Sequence, residues 1–100
     1  MKMNRDGDKL TVFAEGRIDT NRAPAFAGEV EGALEGVMDL TMDLDRLEYI
    51  SSSGLRVLMM AIKEMGRRHG VIRITNVSEN VYDILESTGF TGACDVEPKP

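Results

Sequence analysis

The sequence predicts an α/β fold, a mixed sheet of four to five strands with helices mainly on one face, and three adjacent patterns predict it. From Met38 to Leu44, the residues Met38, Leu40, Met42 and Leu44 alternate strictly with Asp39, Thr41 and Asp43, the period of a strand with one dry face. From Gly54 to Arg68, Leu55, Leu58, Met59, Ile62 and Met65 fall on one stripe, which marks a helix packed on a sheet. Val71 to Thr75, after Gly70, is a further strand, so strand, helix and strand make a parallel crossover unit. Strands buried on both faces read as continuous apolar runs, so the one-sided alternation puts the helices mainly on one side.

The remaining elements follow in order. Met1 to Arg5 reads as a first strand, joined through the turn Asp6-Gly7-Asp8 to a second at Lys9 to Glu15, where Leu10, Val12 and Ala14 share one side. After Gly16, the run Ile18-Asp19-Thr20-Asn21 leads into a helix with Asn21 or Thr20 as its cap and Pro24 in the first turn. Phe26, Val30, Ala33, Leu34 and Val37 recur at helical spacing, and Gly36 is expected to end the helix. A last helix spans about Glu79 to Ser87, capped by Ser78 and closed by Gly89. The tail Asp95 to Pro100 reads as frayed apart from a short strand near Val96. With no internal repeat, low-complexity tract or linker, one domain over residues 1–100 is expected.

Composition excludes several classes of function. Apolar residues at 42% and charged residues at 29% are the mixture of a globular chain rather than a disordered one. Seventeen acidic against twelve basic side chains give a net charge of -5, a field that repels phosphate backbones and anionic lipid headgroups. Neither nucleic acid nor membrane is therefore expected as a partner. The longest apolar-rich stretch, Leu55 to Ile62, contains Arg56 and is far short of the roughly 20 residues a spanning helix needs. The N-terminus lacks an apolar signal core, so a cytoplasmic location is expected. Cys94 is the only cysteine, with no second thiol for a disulfide or a metal site. No metal and no cofactor are expected.

The junction between the strong strand and the strong helix carries three consecutive hydroxyls, Ser51, Ser52 and Ser53. Capping accounts for them in one way, since a serine oxygen can accept from the orphan N–H groups of a first helical turn. One cap needs only one serine, however. The same helix end concentrates free N–H donors and the positive end of the peptide dipoles, so a phosphate would sit well there. Phosphorylation would add about -1.5 to -2 charges without melting the helix, which suits a reversible switch of partner binding.

Asp43-Leu44, then Tyr49-Ile50-Ser51-Ser52-Ser53-Gly54-Leu55 and an amphipathic helix, resemble the signature of STAS domains in anti-sigma factor antagonists. Gly16-Arg17-Ile18-Asp19 resembles the family's other recurrent turn, and Gly89-Phe90 fits its C-terminal pattern, so the resemblance covers nearly the whole chain. It implies a cytoplasmic protein-binding switch, not an enzyme, regulated by reversible serine phosphorylation. The implied partners are an anti-sigma factor that is also a serine kinase, and a serine phosphatase. The phosphorylated serine of the family lies two positions before the Gly of this turn, which is Ser52 here, and Ser53 fills the following small position. The family's aspartates near the phosphorylation loop map onto Asp19 and Asp43, which read equally as a turn former and an exposed strand residue. Two departures stand out: Ser51 replaces a common Asp, and Arg56 replaces the Gly of the best-known antagonists.

On a helical wheel Arg56, Val57, Met60, Lys63, Glu64 and Arg67 lie opposite the apolar stripe, so Val57 and Met60 are expected to be exposed. Scattered apolar residues on a surface are ordinary, and apolar residues ringed by charge beside a switch site also describe a partner patch. The expected partner-binding set is Asp19, Asp43, Ser51, Ser53, Gly54, Arg56, Val57 and Met60. A constitutive STAS interaction module in a transport or signalling complex is the alternative, needing no phosphate. A hydrolase with a serine nucleophile and His69 as base has little support, because Gly-x-Ser-x-Gly is absent and His69 lies at the far end of the helix.

Overall fold

The computed structural model describes residues 1–100. Five strands, β1 (Lys2–Asp6), β2 (Lys9–Ile18), β3 (Asp39–Ile50), β4 (Val71–Val77) and β5 (Asp95–Pro98), form one sheet in sequence order. β1 is antiparallel to β2, and β2 to β5 are mutually parallel. The crossovers are α1 (Ala23–Ala33), α2 (Ser52–Arg67) and α3 (Glu79–Ser87). Each crossover advances one strand in the same direction, and right-handed crossovers taken always in one direction stack their helices on the same face.

That topology explains the one-sided alternation. Leu10, Val12 and Ala14 of β2, Leu40, Met42 and Leu44 of β3, and Ile74 of β4 point under the helices into a continuous apolar core with Phe26, Val30, Leu58, Met65, Val81 and Leu85. Thr11, Phe13, Asp39, Thr41, Asp43, Arg73 and Thr75 occupy the other face and stay partly exposed. Arg73 Nη1 donates there to Asp39 Oδ1 at 2.9 Å and to Thr41 Oγ1 at 3.1 Å, a polar ladder across β3 and β4.

Several boundaries shift by a few residues, β2 running on to Ile18 and β4 to Val77, and three differences from the sequence expectation have a clear local reason. β3 runs to Ile50 rather than ending at Leu44, because register shifts between Phe13 and Glu15 and between Gly16 and Arg17 let pairing with β2 continue. The buried residues beyond the first shift are Leu44, Leu47 and Ile50, three apart, so the period of two is lost although the strand is not. α1 stops at Ala33, and Leu34 to Gly36 form a turn with Gly36 at φ +74°. No side chain of Thr20 or Asn21 caps α1; Asp19 Oδ1 instead accepts from the N–H of Arg22 at 2.9 Å.

At the other end of α2, Arg68 joins the two longer helices. Its Nη1 donates to the carbonyls of Leu34 and Val37, at 2.5 and 3.0 Å, satisfying acceptors past the end of α1. Its Nε and Nη2 grip Glu64, which Arg67 also binds through two hydrogen bonds. The hydrogen bonds from Arg67 and then Arg68 lower the Glu64 carboxyl from 4.5 to about 2. Because the folded value is depressed, the stability this cluster adds is fully present above pH 4.5 and fades as pH falls toward 2. Urea midpoints of wild type and Glu64→Gln should therefore differ most near neutrality and converge across that interval. A gap that stays constant with pH would contradict the assignment.

Candidate functional site

The site is built where the C-terminal ends of β2 and β3 meet the first turn of α2. Ile18 and Ile50 are register partners there, and the N–H of Ser51 donates to the carbonyl of Ile18 at 2.8 Å. This bond lays the Asp19 loop beside the serine turn. Ser51 has extended backbone, φ -80° and ψ 170°, and its Oγ accepts from the N–H of Gly54 at 3.1 Å. It is the cap, and it is buried.

That assignment separates the three hydroxyls. Ser52 is the first residue of the helix and is exposed, and Ser53 is half-buried behind it. With the capping bond made by Ser51, the Ser52 hydroxyl is left uncommitted at the positive end of a sixteen-residue helix. Gly54 completes the arrangement by having no side chain: a Cβ there would lie 2.7 Å from Ile50 Cγ1 and 3.0 Å from Ile18 Cγ2. Only glycine lets the first turn settle directly on the two strand ends.

The anticipated partner residues are not all brought together. Asp19 is exposed beside the turn, where it also holds the α1 entry through Arg22. Arg22 in turn donates to the carbonyls of Glu15 and Arg17 at 2.7 and 3.2 Å, which fastens the loop. Arg56 is exposed one turn after Ser52, and its guanidinium forms no ion pair with Glu48 or any other carboxylate.

Asp43 is a correction: it lies seven strand residues before Ile50, on the order of 20 Å away at about 3.3 Å per residue, on the open sheet face. There its carboxylate accepts from the N–H of Asp45 and from Asn76 Nδ2.

Val57 is a second correction, for it is 6% exposed and belongs to the core. The inward stripe of α2 is Gly54, Val57, Leu58, Ala61, Ile62 and Met65, rotated from the one the large apolar residues suggested. Gly54 and Ala61 face inward because the helix lies close to the sheet, and small residues carry little weight in a hydrophobic pattern. Leu55, Met59 and Met60 consequently sit at the margins, half-buried. Ser51 and Gly54, both buried, shape the turn rather than present side chains to a partner.

A feature that sequence reasoning missed is the stacked pair Arg17 and Tyr49, register partners whose guanidinium carbon lies 4.4 Å from the ring centroid. Tyr49 is 38% exposed, so an aromatic and a cation border the two loops that carry Asp19 and Ser52. Only the β2–β3 register reveals it. His69 falls in the turn after α2 with φ 57°, at the opposite end of the helix from Ser52. The Cys94 thiol is pushed up by burial and then by Asp95, which disfavours a reactive thiolate.

The model of the STAS domain matches residues 1–99. The chain belongs to the STAS family. Among its relatives, the anti-sigma-B factor antagonist of Listeria monocytogenes is 30% identical over 95 residues, covering 93% of this chain and 82% of the relative. The crystal structure of an anti-sigma factor antagonist from Mycobacterium paratuberculosis superposes on this STAS chain with a TM-score of 0.86 at 20% identity, over 98% of this chain and 84% of that one. The Bacillus cell fate determinant SpoIIAA in its phosphorylated form gives a TM-score of 0.77 at 14% identity, over 95% and 88%. Both superpositions establish the STAS fold. No helix of the chain is long and apolar enough to cross a membrane.

Proposed function

We propose that this STAS chain is an anti-sigma factor antagonist, a protein-binding switch that docks on an anti-sigma factor and is released by phosphorylation of Ser52. The observation that carries the reading is the division of labour in the serine turn: Ser51 is buried and caps α2, while Ser52 is exposed with no structural duty. The names of the relatives point the same way. Asp19, Ser53, Arg56 and Met60 surround Ser52 or continue along α2 and form the docking face with it. An anti-sigma factor with serine kinase activity would transfer phosphate from ATP to the Ser52 hydroxyl, and a serine phosphatase would restore binding.

The test compares wild type, Ser52→Ala, Ser52→Asp and Met60→Glu for binding a purified anti-sigma factor of the same organism. Switching predicts that Ser52→Ala binds like wild type and Ser52→Asp does not. If Ser52→Asp is silent and only Met60→Glu disrupts binding, the chain is a constitutive interaction module and the switch is wrong.

A further inference from the structure

The outer edge of α2 carries a chemistry that the serine alone does not use. Arg56, Met60, Lys63 and Arg67 recur three or four residues apart, so they lie along one edge of the helix for about 17 Å, with Met59 beside them. With Glu64 they line an open groove of about 510 Å³. The cations are exposed, and the two methionines pack partly on the core while bordering the groove.

Charge on this edge opposes that of the molecule. The stretch from Arg56 to Arg68 holds four cations and one anion, in a chain whose net charge is -5. That one anion, Glu64, is already bound by Arg67 and Arg68. Arg56 and Lys63 are left without an ion-pair partner. Across the neighbouring groove, α1 and the turn that follows it present Glu31 and Glu35, so positive potential is confined to a narrow strip with an acidic border.

We propose that this strip docks an acidic protein surface, its carboxylates pairing with Arg56 and Lys63 and one apolar side chain seating between Met59 and Met60. The proposal rests on the reading of Ser52 as the switch of an anti-sigma factor interface, and it specifies the chemistry of the partner. Flexible methionines accept an apolar knob of irregular shape, and flanking cations of one sign set its orientation. Two free cations on an acidic protein are too few to hold a nucleic acid, which needs many phosphate contacts.

The strip also explains why phosphate at Ser52 is an effective release signal. Arg56 is four residues after Ser52 and therefore on the same helix face. A phosphate carrying about -1.5 to -2 charges would offset Arg56, so the end of the strip beside the serine would lose the sign that recruits its partner.

The decisive experiment titrates a purified anti-sigma factor of the same organism against wild type, Ser52→Asp and the double variant Arg56→Glu/Lys63→Glu, at low and at physiological salt. The double variant is expected to bind about 30-fold more weakly, with unchanged circular dichroism, and wild-type affinity to fall with salt much more steeply than that of the variant. If the double variant binds like wild type while Ser52→Asp does not, the acidic-partner inference is overturned and the serine switch stands. If neither change matters, both fall. Tight binding of duplex DNA by wild type at physiological salt, lost in the double variant, would reassign the strip to nucleic acid.

Discussion

Complete phosphorylation of Ser52 is expected to weaken binding to the anti-sigma factor by about 100-fold or more while hardly changing the melting temperature. The loss follows from neutralising Arg56 at the docking face and from setting a dianion against an acidic partner surface; about 3 kcal/mol would suffice, since 1.4 kcal/mol is tenfold in affinity. Stability is spared for two reasons. Ser51 makes the capping bond to Gly54, so modifying its neighbour removes no structural contact. An anion at a helix N-terminus also gains about 0.3–1 kcal/mol from the peptide dipoles. Calorimetric titration and a thermal melt of the same sample separate the effects. Equal affinity for both forms contradicts the account, and so does a melting point lowered by about 10 °C or more, which would make the binding loss a consequence of unfolding.

Gly54→Ala is expected to cost about 1–3 kcal/mol of stability, the opposite of what helix propensity alone predicts. Alanine within a helix is favoured over glycine by about 1 kcal/mol. Here the new methyl would lie 2.7 Å from Ile50 Cγ1 and 3.0 Å from Ile18 Cγ2, both on side chains held in the core. The overlap must lift the first turn of α2 or displace both isoleucines, and overpacking of this kind outweighs the propensity gain. Each kcal/mol corresponds to about 4–8 °C in the melting temperature of a chain this size. Because the clash is with Ile50, the double variant Ile50→Ala/Gly54→Ala should be less destabilised than the two single changes added together. Strict additivity, or a stabilised Gly54→Ala, would show that the turn has room for a side chain.

The features legible in the sequence were those with a strict local period or a dedicated residue. Although Met38, expected on the same face, precedes β3 and is exposed, Leu40, Met42 and Leu44 were readable as the dry face of a strand, and Ser78 as the cap of α3. Features that depend on what an element packs against were not. The end of β3 was hidden by register shifts that space its buried residues by three. The inward face of α2 was misjudged at Val57 because Gly54 and Ala61 mark close approach through smallness. Likewise, a likeness of motif placed Asp43 with the serine turn, whereas the length of β3 holds it on the far face. The Arg17 and Tyr49 stack, between residues thirty-two apart, exists only through strand register.

Helix-end chemistry alone left Ser52 as one of three hydroxyls, and the likeness to the family signature singled it out two positions before Gly54. What distinguishes it is the hydrogen bond that commits Ser51 and the burial that goes with it. The most direct test of that distinction is to incubate the chain with a purified anti-sigma factor kinase of the same organism and ATP and map the modified residue by fragmentation mass spectrometry. A single phosphate on Ser52, abolished in Ser52→Ala, is the expected result. Phosphate on Ser51 or Ser53, or none after prolonged incubation, would contradict it.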